Sequence, residues 1–239
     1  MPGGTAAVWA GRLTPLARMG QAYRVRSRIA RLIVRGLFAV IFRVRHYGTL
    51  PARGPLLVVA NHQGWADGFL LAASFPLGAD VRLLGDREGT GKVWWWRAVL
   101  RAVGIVIPIE RASATADRAA ITTTLGALGR GAIVVVFAEG RVSRVESSLG
   151  PFARGVGYLA LRSGAPILPV WLSGTAELYL RRELATIAGT PRAVPKGAPT
   201  KEATRTMALA LHDDLARLEP SERAPDPAHK RMRWLTNLF

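Results

Sequence analysis

Residues Pro55–Asp67 read PLLVVANHQGWAD. The first part, Pro55–Ala60, is a short apolar run of the kind that forms a strand buried on both faces. Asn61–Ala66 interrupts it with polar residues and a glycine, and helical character resumes over Asp67–Ser74. A buried strand that turns directly into a helix is the first half of a βαβ unit. Such strands belong to sheets covered by helices on both faces.

The pattern repeats along the chain. Strands are expected at Val81–Gly85, Gly104–Ile109, Ala132–Phe137 and Ile167–Leu172. Helices are expected at Lys92–Val103, Thr115–Leu128, Phe152–Ser163 and Thr200–Leu218. The alternation predicts an α/β fold, a mostly parallel sheet flanked by helices. Residues 189–199 are a Pro/Gly-rich connector, and 219–229 read as a loose tail that ends in the basic-aromatic KRMRWLTNLF. The expected organisation is therefore an N-terminal basic and apolar membrane-associating segment (1–46), a folded domain (47–218) and a C-terminal tail (219–239).

A chain of 239 residues with 49% hydrophobic residues can bury a sizeable core, which excludes a wholly disordered protein. Its formal charge is +17. So basic and so apolar a chain suits an anionic membrane as well as a polyanion. The absence of cysteine excludes a disulfide framework, thiolate metal sites and a Cys nucleophile. His46, His62, His212 and His229 include no pair at i, i+4, so no metal is expected. Neither a secretory leader nor a membrane-spanning helix is expected, because no apolar run is long enough.

Residues 1–66 hold ten basic residues and no acid. Among them Arg24, Arg28, Arg31 and Arg35 fall within roughly 60° of one another on a helix, with Ile29, Leu32, Ile33, Leu37 and Val40 largely on another side. The expectation is an amphipathic helix whose Arg stripe meets anionic headgroups. The Trp94–Trp96 cluster, beside Lys92 and Arg97, is a candidate interfacial belt, with core burial as the alternative.

His62 is expected at the carboxyl end of a strand, where open α/β sheets place their chemistry. Asp67 can fold back to its imidazole, fixing one ring nitrogen and leaving the other to accept a proton. That is two-thirds of a Ser-His-Asp triad, with the nucleophile missing. An alcohol carried by the substrate can take its place. The plainer alternative is a loop histidine and an Asp that caps the next helix. Glu139, Gly140, Arg141 and Arg144 follow the strand AIVVVF, and Arg is suited to bidentate phosphate recognition. Arg111 ends the GIVIPIER block, and Pro169 lies in APILPV, an apolar strand without ionisable groups.

These four blocks, in this order over residues 47–175, resemble the glycerolipid acyltransferase superfamily typified by the 1-acylglycerol-3-phosphate acyltransferases. The family pattern is NHxxxxD, a block ending in Arg, FPEGTRS, and a Pro-containing apolar strand. The resemblance implies that 47–218 is an acyltransferase domain. It implies that His62 is general base on the acceptor hydroxyl and Asp67 its orienting carboxylate. It further implies that Arg111 and Arg141 bind the acceptor phosphate, that Glu139 and Gly140 order that pocket, and that Pro169 lines the acyl chain. The implied donor is an acyl thioester on coenzyme A or acyl carrier protein, with no cofactor. The implied reaction converts 1-acyl-sn-glycerol-3-phosphate to phosphatidate, at the cytoplasmic face of the inner or plasma membrane, by a peripheral or monotopic protein.

The third block here is FAEGRVS, so its Arg stands one position early and Arg144 is the other candidate phosphate contact. The LGPF that follows is similar to members that acylate other lyso-phospholipids. Another lyso-lipid acceptor and a non-catalytic membrane-binding relative are the alternatives. Nucleic acid is not an expected partner, since no recognised binding pattern accompanies the charge.

Overall fold

The computed structural model describes residues 15–86, 106–109, 114–146, 148–194, 197–221 and 227–238. The expected helix Lys92–Val103 with Trp94–Trp96, and Arg111, lie outside the described residues.

Seven strands form one sheet: β1 (Arg43–Tyr47), β2 (Leu56–Ala60), β3 (Val81–Asp86), β4 (Val106–Ile109), β5 (Ile133–Phe137), β6 (Ile167–Ser173) and β7 (Glu183–Ala188). Their order is β1-β7-β6-β2-β5-β3-β4. Every pair is parallel except β6–β7. The expected mostly parallel α/β sheet is thus the observed one. All five residues of β2 are buried, as its apolar run requires of a central strand.

The β2 side chains alternate between two cores. Leu56, Val58 and Ala60 join the cluster under α1 (Pro15–Ile41) and α2 (Asp67–Ser74). Leu57 and Val59 join the cluster under α3 (Ala114–Gly129), α4 (Arg154–Ser163) and α5 (Lys201–Ala216). Two strands were not foreseen. β1 (RVRHY) carries two arginines and a histidine in a largely exposed pattern, and β7 is short with no Gly/Pro boundary on its near side. β1 also crosses the boundary expected at 46/47, and Phe38 and Phe42 before it are buried in the core. Residues 38–47 are thereby built into the domain.

The opening helix is present, but two arginines of its stripe, Arg31 and Arg35, turn toward the protein and not toward headgroups. Ser27, Arg31 and Phe38 are buried, with Val34 packed beside them. Ile29, Leu32, Ile33, Leu37 and Val40 are exposed. Arg31, only 2% exposed, donates from Nη1 to Ala79 O (3.0 Å) and from Nη2 to Pro76 O (2.8 Å) and Phe75 O. Arg35 donates to Ala73 O (2.5 Å) and Phe75 O (2.6 Å). These carbonyls lie at and just beyond the end of α2, where a helix leaves acceptors unmet and its dipole favours a cation. The two guanidiniums close α2, which repays their desolvation. Arg31→Ala is expected to lower unfolding stability by about 2–4 kcal/mol, because buried carbonyls lose a charged donor. Arg28→Ala, at an exposed position of the same stripe, should change it by under about 0.5 kcal/mol. Urea denaturation reads both.

Candidate active site

The loop between β2 and α2 is held at both ends. Asn61 is fully buried, and its side-chain amide extends the β2–β6 ladder: Nδ2 donates to Leu172 O (2.9 Å) and Oδ1 accepts from Leu172 N (2.7 Å). Gly64 passes so close to the next loop that a Cβ there would lie 2.4 Å from Thr175 O. No larger residue fits that crossing.

Asp67 is the first residue of α2 and is completely buried. Its Oδ2 accepts from Gln63 N (2.6 Å) and Gly64 N (2.9 Å), and lies 2.7 Å from His62 Nδ1. Three donors converging at a helix N-terminus suit an ionised carboxylate, which only accepts. His62 Nδ1 must then carry the proton. That fixes the tautomer with a lone pair on Nε2, and the ring remains 22% exposed. The imidazole is therefore oriented, primed and reachable.

A second clamp comes from the loop after β5. Glu139 Oε1 accepts the His62 N–H (3.1 Å), Ser143 N–H donates to the His62 carbonyl (2.8 Å), and the Phe137 ring stacks on the imidazole with centroids 4.2 Å apart. The other Glu139 oxygen accepts from Gly150 N (3.0 Å), fixing the far side of that loop. Gly140, at φ 69°, supplies the left-handed turn that brings Ser143 back to His62.

The structure thus brings together His62, Asp67, Glu139 and Gly140. Arg141 and Arg144 flank Ser143 and are exposed, and among the described residues neither has an acid partner. Pro169 is buried in mid-strand, in register with Val59. Val59 faces the sheet side opposite α2, so Pro169 is not brought to the imidazole.

The sequence reading missed the C-terminal strap. The tail expected over 219–239, loose through 229, carries a 3-10 turn at Arg233–Asn237 whose Leu235 is buried in the main core. The Trp65 indole N–H, between His62 and Asp67 in the chain, donates to Leu235 O (2.9 Å). Thr236 Oγ1 accepts from Leu178 N (2.9 Å) and donates to Leu178 O (3.1 Å), and Lys230 and Arg233 grip Glu177 at 2.5 and 2.8 Å. A part-buried Trp needs a partner for its N–H, which was the available signal.

The acyltransferase family model matches residues 41–173. A chloroplastic 1-acyl-sn-glycerol-3-phosphate acyltransferase of Brassica napus is 27% identical over 124 residues, covering 52% of this chain and 34% of that protein. The human 1-acyl-sn-glycerol-3-phosphate acyltransferase alpha is 28% identical over 162 residues, covering 65% of this chain and 54% of its own. The chain thus spans between a third and about half the length of these curated relatives. The crystal structure of a 1-acyl-sn-glycerophosphate acyltransferase from Thermotoga maritima shares the fold, with TM-score 0.63 and 20% identity, over 87% of this chain and 85% of that one.

Proposed function

Since the chain belongs to the acyltransferase family, we propose that it moves a fatty acyl group from a thioester to the free hydroxyl of 1-acyl-sn-glycerol-3-phosphate, giving phosphatidate at a membrane surface. The observation that carries this reading is the 2.7 Å contact between His62 Nδ1 and the buried Asp67 carboxylate, in a ring that stays part-exposed. Nε2 takes the acceptor's hydroxyl proton as its oxygen forms the new ester bond to the thioester carbonyl. The carbonyl π electrons move to oxygen and return, the C–S bond breaks, and the departing sulfur receives the proton from the imidazolium. Asp67 stabilises that imidazolium through Nδ1–H. No protein side chain is esterified. Arg141 and Arg144, exposed beside the His62 backbone, are the candidates for the acceptor phosphate. The donor is an acyl-coenzyme A or acyl-acyl carrier protein.

The same reading gives α1 a role. Its exposed Ile29, Leu32, Ile33, Leu37 and Val40 form an apolar face, with Val40 74% exposed. Among the described residues no helix is long and apolar enough to cross a membrane. An apolar face of this kind suits a helix lying in the headgroup boundary. The protein then sits on the bilayer from the cytoplasmic side, where an amphiphilic acceptor reaches His62 without leaving its leaflet. Ile33→Asp/Leu37→Asp is expected to reduce partition onto vesicles about thirtyfold or more without lowering the melting temperature, since both positions are exposed in the fold. Vesicle flotation beside a thermal melt reads this.

The activity is tested with lysophosphatidate and other lyso-phospholipids against both thioester donors, products identified by mass spectrometry. Phosphatidate should predominate. Incubation with donor alone should leave the protein mass unchanged. Thioester hydrolysis without lipid product from any acceptor, or an acylated protein, would overturn the reading.

A further inference from the structure

A cationic groove opens beside the catalytic end of the sheet. Leu172, tied to Asn61 as described above, is followed by Ser173 and Gly174, which form part of the groove wall. The cavity measures about 630 Å3. Four arginines line it from separate segments: Arg43 at the start of β1, Arg181 and Arg182 before β7, and Arg231 from the C-terminal strap. Arg182 is already engaged, donating to the Tyr179 hydroxyl (2.8 Å) and lying 3.7 Å from Glu146. Glu183, the acid in the wall, lies 4.0 Å from Arg45. Among the described residues no acid forms an ion pair with Arg43, Arg181 or Arg231, and Glu183 stands opposite Arg43 in the β1–β7 register.

The arrangement is held by the backbone. Arg181 has φ 67°, a left-handed conformation that costs a non-glycine residue on the order of 1 kcal/mol. Its N–H donates to Ile41 O (2.7 Å), Arg43 N–H to Arg182 O (2.9 Å) and Leu180 N–H to Arg231 O (2.9 Å). These bonds join the end of α1, the start of β1, the β7 turn and the strap around one cavity. Tyr47 and Ile187 add an apolar side to its wall.

We propose that this groove holds the phosphate of an anionic phospholipid headgroup from the bilayer, at a position separate from the acceptor. Arg forks recognise phosphate oxygens bidentately, and the three gathered in this cavity have no ion-pair partner among the described residues. The groove begins where α1 ends, one turn beyond the exposed Val40, so a lipid contacting the apolar face of α1 has its headgroup at the level of Arg43. The proposal rests on the membrane reading above and adds the headgroup chemistry to it.

The test uses the full chain and vesicles of phosphatidylcholine with or without phosphatidylglycerol, a diacyl lipid with no acyl-acceptor hydroxyl on its diacylglycerol unit. Arg181→Gln/Arg231→Gln should lower partition onto phosphatidylglycerol vesicles about thirtyfold, and leave partition onto pure phosphatidylcholine unchanged. The control Arg118→Gln/Arg205→Gln removes two exposed charges from α3 and α5, on the opposite face of the sheet, and should change either by less than about threefold. Equal losses in both pairs would overturn the proposal, reducing the effect to net charge. Soluble glycerophosphoglycerol and inorganic phosphate are titrated calorimetrically in parallel. Heat from the headgroup alone assigns the groove to lipid. Equal heat from inorganic phosphate assigns the same arginines to free phosphate and overturns the lipid source. No heat from either, with intact vesicle binding, overturns the site while leaving the membrane reading standing. If the protein binds no vesicle at all, the membrane reading fails, and the headgroup titration still decides the groove.

Discussion

His62→Ala lowers kcat by about three orders of magnitude or more, and Asp67→Asn by about as much, in an assay of phosphatidate formation. The two losses have different physical origins. Alanine removes the base itself. It should leave stability nearly intact, because the imidazole is part-exposed and the His62 backbone keeps its bonds to Glu139 and Ser143. Asparagine at Asp67 removes the charge that stabilises the imidazolium. It also presents three donors with an amide, whose NH2 cannot accept. If its oxygen takes the place of Oδ2, it still accepts from Gln63 N, Gly64 N and the ring N–H, so the loop and the tautomer survive and only the charge is lost. Asp67→Asn should therefore lose kcat with little change in acceptor KM, and the double variant should be scarcely worse than either single one. Full activity in His62→Ala would remove the base from the mechanism.

Ending the chain after His229 is expected to lower stability by about 3–5 kcal/mol and kcat by about tenfold. The deletion exposes the core cavity filled by Leu235, worth a few kcal/mol alone. It also takes the Thr236 bonds from Leu178 and both cations from Glu177. The kinetic effect follows from Trp65, whose indole N–H loses Leu235 O. Trp65 lies three residues beyond His62 and two before Asp67, so its displacement moves the loop that aligns them. Trp65→Phe separates the two effects: it keeps the ring, gives up the N–H, and should lower kcat with only a small shift in melting temperature. Denaturation and initial rates on the same preparations read both. A truncated chain with unchanged rate and stability would dismiss the strap.

The central geometry was legible because it is local. Pro55–Asp67 carries its strand, turn and helix in one short window, and the separation of five positions lets Asp67 reach His62 across that turn. The edges were not legible. β1 and β7 pair residues some 140 positions apart, and RVRHY, largely exposed at the sheet edge, has no apolar run to mark it as a strand. The opening helix shows a subtler limit. Its periodicity says that two faces differ, yet not which one meets the protein. Polarity points the Arg stripe outward, and only the carbonyls at the end of α2 reveal why Arg31 and Arg35 turn in. The strap was hidden because a Pro-rich, charged run before it resembles a free tail, and one buried leucine decides otherwise.

The guanidiniums that close α2 have a mechanical consequence. Asp67 stands at one end of that helix, and Arg31 and Arg35 grip the other. α1 and α2 are thereby riveted into a single lever, with greasy ballast on the outside and the steering carboxylate at its tip. If α1 lies in the lipid as proposed, its depth sets the height of the imidazole with it. On that reading, two arginine side chains set how far the site reaches toward the leaflet.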